Sequence, residues 1–170
     1  MTQVDGAVTS VNLADTTGFA NAYGTAKDVD STTIPGLERV SMSFMTLEPG
    51  AMRDAHWHPY GTELVYVESG ELEWGLQAPG QAGDSTVFTA KQGQAVAVPE
   101  GWLHYAANTG TQTAHLIVLW EATDPKSIEL AGMLSMLPKE LVLASAGTML
   151  DETTAGSLRG LKPSLISPVK

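Results

Sequence analysis

The chain has no cysteine among its 170 residues, which excludes a disulfide framework, a thiolate metal site and a cysteine nucleophile together. Any metal it holds must be bound through nitrogen and oxygen. Charge is scarce and one-sided: charged residues make up 16% of the chain and the formal net charge is −10. On that balance no nucleic-acid partner and no anionic membrane surface is expected, since both need cationic side chains to neutralise phosphate. Long apolar runs are missing too. No segment approaches ~18 consecutive apolar residues, and the stretch MTQVDGAVTSVNLADTTGFANAYG lacks the basic start and apolar centre of a secretory signal. A cytoplasmic protein is the expectation.

What is present is an apolar fraction of 43%, enough for one domain with a substantial core. Residues 1–37 are rich in Thr, Ala, Asp and Gly with little periodicity, and read as an arm of short strands or loops over the main body. From Arg39 the pattern changes, because RVSMSFMTLEPG sets Val40, Met42 and Phe44 against Ser41 and Ser43, the period-two signal of a half-buried strand. ELVYVESG, ELEWGLQA, STVFTA, QAVAVPEG and TAHLIVLWEA follow, separated by turn residues; Leu72, Trp74 and Leu76 fall on one side of their strand. Many short strands over 38–121 with no helical pattern between them predict an all-β jelly-roll barrel. Residues 122–147 read as a loop and two short helices, with Pro138 at a start and Gly147 at a stop. The tail 148–170, with Leu161, Pro163, Leu165, Ile166 and Pro168, reads as an extended segment lying on the barrel or on a neighbouring subunit.

The chemistry is concentrated in GAMRDAHWHPYGTELVYVESG, residues 50–70. His56 and His58 are two apart, so on a strand they share a face, the inner one if Trp57 points outward. Two imidazoles aimed into a barrel interior are costly to bury unless something binds them. Glu63 follows a Pro59–Thr62 turn that can return a carboxylate to the same point. Of the two remaining histidines, His104 sits at the start of a strand re-aimed by Pro99-Glu100-Gly101, whereas His115 alternates with Leu116 and Val118 and reads as a core-edge or surface histidine. His56, His58, Glu63 and His104 are therefore the candidate metal ligands.

Their joint spacing carries more information than any one of them. Gly50-x5-His56-x-His58-x4-Glu63-x6-Gly70 is followed by Gly93-x5-Pro99-x-Gly101-x2-His104-x3-Asn108, and in these residues the sequence resembles the cupin superfamily. The resemblance implies a cupin jelly roll, or double-stranded β-helix, in which His56, His58, Glu63 and His104 hold one metal and leave two coordination positions open. Three imidazoles and a carboxylate suit octahedral Mn²⁺ or Fe²⁺ and are tolerated by Ni²⁺, Zn²⁺ or Cu²⁺. Open positions allow Lewis-acid chemistry, O₂ binding or a bound carboxylate.

Arg53 lies three residues before His56, an odd separation that on a regular strand puts it on the opposite face; its place just after a turn leaves an inward course open. MRDAHWH is similar to the arginine, two residues, His-Trp-His signature of oxalate decarboxylases, in which the matching arginine holds a substrate carboxylate, a role for which a guanidinium fork is suited. Residues 129–147 are similar to the helical close of oxalate decarboxylases and germin-like proteins. In that register Asp124, in Thr123–Lys126, takes the position of the lid glutamate of the decarboxylases; a carboxyl enclosed over an apolar pocket would have the raised pKa that proton transfer needs.

Three departures accompany the likeness. The chain carries a single motif pair where the decarboxylases carry two, four residues separate His58 from Glu63 where they use three, and Pro125 stands in a segment without their Ser-Glu-Asn-Ser. The resemblance implies a manganese-dependent, O₂-requiring decarboxylase acting on oxalate or a similar small carboxylate, with homodimer or hexamer assembly. The alternatives are an oxalate oxidase, an iron-dependent dioxygenase whose pocket is lined by Trp57, Tyr66, Trp74, Trp102 and Tyr105, and a non-catalytic cupin that binds a metal or small ligand.

Overall fold

The computed structural model describes residues 2–4, 6–81, 83, 85–146, 151–158 and 164–169; the expected helix stop at Gly147 and the tail residues Leu161 and Pro163 lie outside them. The arm supplies β1 (Thr2–Val4), β2 (Ala7–Ser10), β3 (Gly18–Asn21) and β4 (Gly24–Val29). The main body follows as β5 (Ser41–Leu47), β6 (Ala51–Trp57), β7 (Glu63–Ser69), β8 (Glu71–Gln77), β9 (Thr86–Lys91), β10 (Ala95–Val98), β11 (Leu103–Asn108) and β12 (Ala114–Trp120). After these come β13 (Ile128–Glu129), α1 (Leu130–Met136), α2 (Lys139–Ala146), α3 (Glu152–Leu158) and β14 (Ile166–Pro168).

Two six-stranded antiparallel sheets pack as a jelly roll, in the orders β10-β7-β12-β5-β4-β3 and β13-β6-β11-β8-β9, the latter with β14 also on β6. No strand pairing among the described residues joins them, so the roll is open rather than a closed barrel. β1 and β2 form a separate hairpin. β3 and β4, from the segment expected to be an arm, extend the first sheet directly. The core lies between the sheets, with Met45, Leu47, Val65, Val67, Leu116 and Val118 from one and Leu72, Trp74, Leu76, Ala90 and Ala106 from the other. Leu72, Trp74 and Leu76 face inward as their alternation requires.

β5 alternates as well, but with the opposite sense to its hydropathy. Ser41, Ser43, Met45 and Leu47 are buried, while Met42 and Phe44 are only half-buried and Val40 is exposed. The cause is position in the sheet: the inner face of β5 runs from the apolar core at Leu47 to the open end of the roll at Ser41, where a cavity replaces packed side chains.

The tail is only partly extended. α3 packs on α2, and β14 pairs with the edge of β6, placing Ile166 fully buried in the core. Asn21 Nδ2 donates to the Ile166 carbonyl at 2.9 Å and Val169 N–H donates to Gly50 O at 2.7 Å, so arm, tail and β6 are stitched together. Burial of an isoleucine of this kind contributes roughly 2–3 kcal/mol.

Asn108, the last residue of the second motif, is a structural residue. Its buried amide donates to Leu47 O and Gln112 O, both at 2.8 Å, and its carbonyl accepts from Gly110 N at 2.9 Å. Asn108→Ala removes all three bonds from a buried position, which should cost about 2–4 kcal/mol. Urea unfolding checks this, and an unchanged midpoint contradicts it.

Candidate metal centre

The centre begins with an irregularity in β6. Its pairing with β11 matches His56 to His104 and Arg53 to Ala106, so three steps on β6 face two on β11. One extra residue in a strand is a β-bulge, and it resets the alternation of everything beyond it. Arg53 and His56 are both buried as a result, with Asp54 and Ala55 in the bulge between them. The arginine turns inward because of this bulge, not because of the turn at Gly50.

The bulge also orients the first imidazole. The Asp54 carbonyl lies 2.7 Å from His56 Nδ1, the Trp102 carbonyl 2.9 Å from His104 Nδ1, and the Lys126 carbonyl 2.7 Å from His58 Nδ1. A carbonyl only accepts, so each Nδ1 carries the proton and donates it, and each Nε2 is left with a lone pair. His58 stands just past the end of β6, where its own carbonyl accepts from Gly101 N at 2.9 Å; the turn of the second motif thus holds the first. Gly61, at φ 84°, permits the turn into β7, and a Cβ there would meet the Glu121 carbonyl at 2.9 Å.

Glu63 arrives from the opposite sheet. Its Oε2 lies 2.8 Å from His58 Nε2 and 3.4 Å from His104 Nε2, and the four ligand atoms lie within 4.8 Å of one another. Three imidazole lone pairs and a carboxylate oxygen converge on one point, which is the donor set of a cation site. His104 Nε2 is buried without a hydrogen-bond partner, a state that costs free energy unless a metal takes the lone pair. A cavity of about 20 Å³ lined by His56, Glu63 and His104 has room for one ion or water. Burial, then the Arg53 guanidinium and the neighbouring His104, hold the His56 imidazole well below its ordinary pKa.

The family description "Cupin" matches residues 11–152. The chain belongs to the cupin family. Germin-like protein subfamily 3 member 1 of Arabidopsis thaliana is 30% identical to this cupin over 155 residues, covering 89% of this chain and 67% of that one. Oxalate decarboxylase OxdC of Bacillus subtilis is 30% identical over 115 residues, covering 68% of this chain and 29% of that one. The solved structure of oxalate decarboxylase from Bacillus subtilis at pH 4.6 superposes with a TM-score of 0.82 at 25% identity, covering 93% of this chain and 40% of that one. The cupin therefore spans less than a third of the length of OxdC in the sequence match and about two thirds of that of the germin-like protein.

Within this cupin the structure brings His56, His58, Glu63, His104 and Arg53 together and leaves the remaining candidates apart. Arg53 is inward but already engaged: Nη1 and Nη2 donate to Glu129 Oε2 and Oε1 at 2.8 and 3.0 Å, and Nη1 also reaches Leu165 O at 3.3 Å. Asp124 lies on the rim of the second cavity, its side chain 59% exposed and paired with Lys126 at 2.6 Å. The enclosure expected to raise its pKa is not there. His115 faces outward against Phe44, as its alternation predicts. Of the five aromatic residues considered as pocket lining, Trp74 reaches the metal cavity and Tyr66 is exposed on the outer face.

Two residues at the site were not anticipated. Trp120 donates its indole N–H toward Glu63 Oε2 at 3.0 Å and His58 Nε2 at 3.2 Å; its parity with Leu116 and Val118 already placed it on the inner face. Glu129, whose carboxylate also accepts from Ser127 Oγ at 2.7 Å, had no such signal, because Asp124–Met136 reads as one helix. The structure instead pairs Glu129 with His56 in β13 before α1 begins.

One divalent ion per chain is expected, and His104→Ala should lower metal content to near zero with the far-ultraviolet dichroism retained. Metal analysis of both proteins decides this; undiminished metal in the variant contradicts the ligand set. His56 binds its proton more weakly folded than unfolded, so the stability it contributes is present above the ordinary imidazole value of 6.5 and lost as pH falls. The Tm of metal-free protein should accordingly fall on acidification from neutral pH, and a rising Tm contradicts the assignment.

Proposed function

We propose that this chain is a metal-dependent enzyme acting on a small carboxylate, with oxalate the first candidate and decarboxylation to formate and CO₂ the leading reaction. The observation that carries the metal-dependent part is the set of three Nδ1–H groups donated to backbone carbonyls, which turns every Nε2 toward Glu63. The relatives support the substrate: proteins named oxalate decarboxylase recur among them, and a structure of the Bacillus subtilis oxalate decarboxylase is described for its Mn(II) centres. Manganese is the leading metal on that basis, with iron, nickel, zinc and copper compatible with the donor set, and O₂ is expected as co-substrate or catalyst.

The ion, when bound, supplies a positive charge that draws a carboxylate and polarises it. The chain's own residues do the rest. Arg53 and Trp120 line both the metal cavity and a vestibule of about 160 Å³ outside it, so they stand where a substrate passes from one to the other. The Arg53 fork is held in an inward rotamer by Glu129, and its two parallel bonds show the geometry in which it takes a carboxylate. A substrate carboxylate shares or displaces that contact. Loss of CO₂ from oxalate leaves an electron pair on the remaining carbon, and one proton placed there gives formate; Asp124, on the vestibule rim, is the proposed carrier of that proton, which it takes up from water once its pair with Lys126 opens. The tryptophan indole fixes the orientation of Glu63.

An oxidase reading uses the same ligand set and is favoured by the germin-like relatives. Measuring formate and H₂O₂ from oxalate with Mn-loaded protein separates the two, and the absence of both products sinks the oxalate assignment. Arg53→Ala should raise KM or abolish turnover with metal content unchanged, while an unaffected rate removes Arg53 from the reaction.

Self-association completes the reading. The outer face of the first sheet exposes Leu64 and Tyr66 beside the outward Ile117 and Leu119, an apolar surface suited to a homodimer, from which a hexamer can be built. Light scattering should give a mass of at least two chains, reduced by Tyr66→Glu; a monomer at micromolar concentration contradicts this.

A further inference from the structure

The vestibule carries charge of the wrong sign for a dicarboxylate. Across the inner face of the first sheet, Val65, Val118, Ser43 and Asp28 lie in one row on β7, β12, β5 and β4. Glu63, Trp120 and Ser41 form the next row toward the open end. The vestibule is therefore walled on this side by Asp28, Ser43 and Ser41, with Asp30 just beyond β4.

Its charges do not cancel. Asp30 Oδ1 accepts from Thr32 N, Thr32 Oγ1 and Thr33 N at 2.8, 2.6 and 3.2 Å, and the Thr32 hydroxyl above all lowers its pKa and keeps it ionised. The Asp28 carboxylate makes no hydrogen bond or ion pair among the described residues. The residues lining the vestibule carry three carboxylates, Asp28, Asp30 and Asp124, against the single guanidinium of Arg53. Lys126 pairs with Asp124 from outside the lining, and Lys27, also outside it, donates to the Thr16 carbonyl at 2.9 Å. Beside the carboxylates, Ser43, 1% exposed, keeps a buried Oγ with no partner. A buried hydroxyl without a bond marks a place where a ligand or water completes the wall.

An oxalate dianion meets repulsion from Asp28 and Asp30, whereas the Ser43 hydroxyl, which both donates and accepts, serves either ligand. A zwitterion fits better, since the vestibule is negative at its mouth and a bound divalent ion makes the inner end positive. We propose that the carboxylate substrate of this site is an amino-carboxylate, its carboxylate directed to the metal and Arg53 and its ammonium group seated against Asp28, donating to Ser43 Oγ. This rests on the reading of the centre as a metal site for a small carboxylate and names the class of that substrate.

β-Alanine and propionate differ by the ammonium group alone, and calorimetric titration of each, with oxalate alongside, into the Mn-loaded full chain tests the proposal. β-Alanine should bind about threefold more tightly than propionate, as expected for a charge pair with a carboxylate that solvent reaches. Asp28→Asn should erase that preference with metal content unchanged, and Ser43→Ala should reduce it. Equal affinity for the pair, no binding of either, or a preference that survives Asp28→Asn overturns the ammonium site. Oxalate turnover with equal affinity for the pair leaves the carboxylate reading standing without it. Preference for β-alanine in protein that takes up no metal does the reverse.

Discussion

One surplus residue in β6 governs the site. By inserting Asp54 and Ala55 between Arg53 and His56, the bulge turns both of those side chains inward. It frees the Asp54 carbonyl for the His56 ring and divides the strand's outer edge into two stretches. Beyond the bulge the edge pairs with β13, which brings Glu129 to His56; before it, the edge pairs with β14, which carries Ile166 into the core. A regular strand would send either the arginine or the histidine outward. Ligand orientation, the Arg53–Glu129 pair and the seat of the tail share this one cause.

Much of the centre was legible because spacing survives where periodicity fails. The two motif segments predict His56, His58, Glu63 and His104 as one cluster, and their ligand atoms do converge. Arg53 was ambiguous because a bulge has no compositional mark: Asp54 and Ala55 are unremarkable residues in a strand, and the parity argument depends on knowing that one of them is extra. β5 was legible as a strand but not in its facing, since Ser41 and Ser43 line a cavity and the hydropathy rule presumes a packed interior. Glu129 was hidden by a helical pattern that starts one residue later. α3 was missed because ETTAGSL has two threonines and a glycine, poor helix formers, and is held by packing on α2.

Polarity is graded along the inner face of the first sheet. From Ala26, Met45, Leu116 and Val67 in the core, the rows pass to Asp28, Ser43, Val118 and Val65, then to Ser41, Trp120 and Glu63. The apolar rows stabilise the roll and also set the low-dielectric surroundings in which His56 loses its proton easily. The polar rows contribute less to packing and line the vestibule. Packed core and open cavity are thus assigned to different ends of the same strands.

Glu63 belongs to one sheet, and His56 and His104 to the other, while no strand pairing among the described residues bridges the two. An ion held by these side chains acts as a cross-brace between the layers, in a chain that has no cysteine with which to build a covalent one. Unlike a disulfide, such a brace answers to free metal concentration. The rigidity of the whole roll then becomes a quantity set by the surrounding supply of metal, coupling the protein's persistence to the same ion that its chemistry requires.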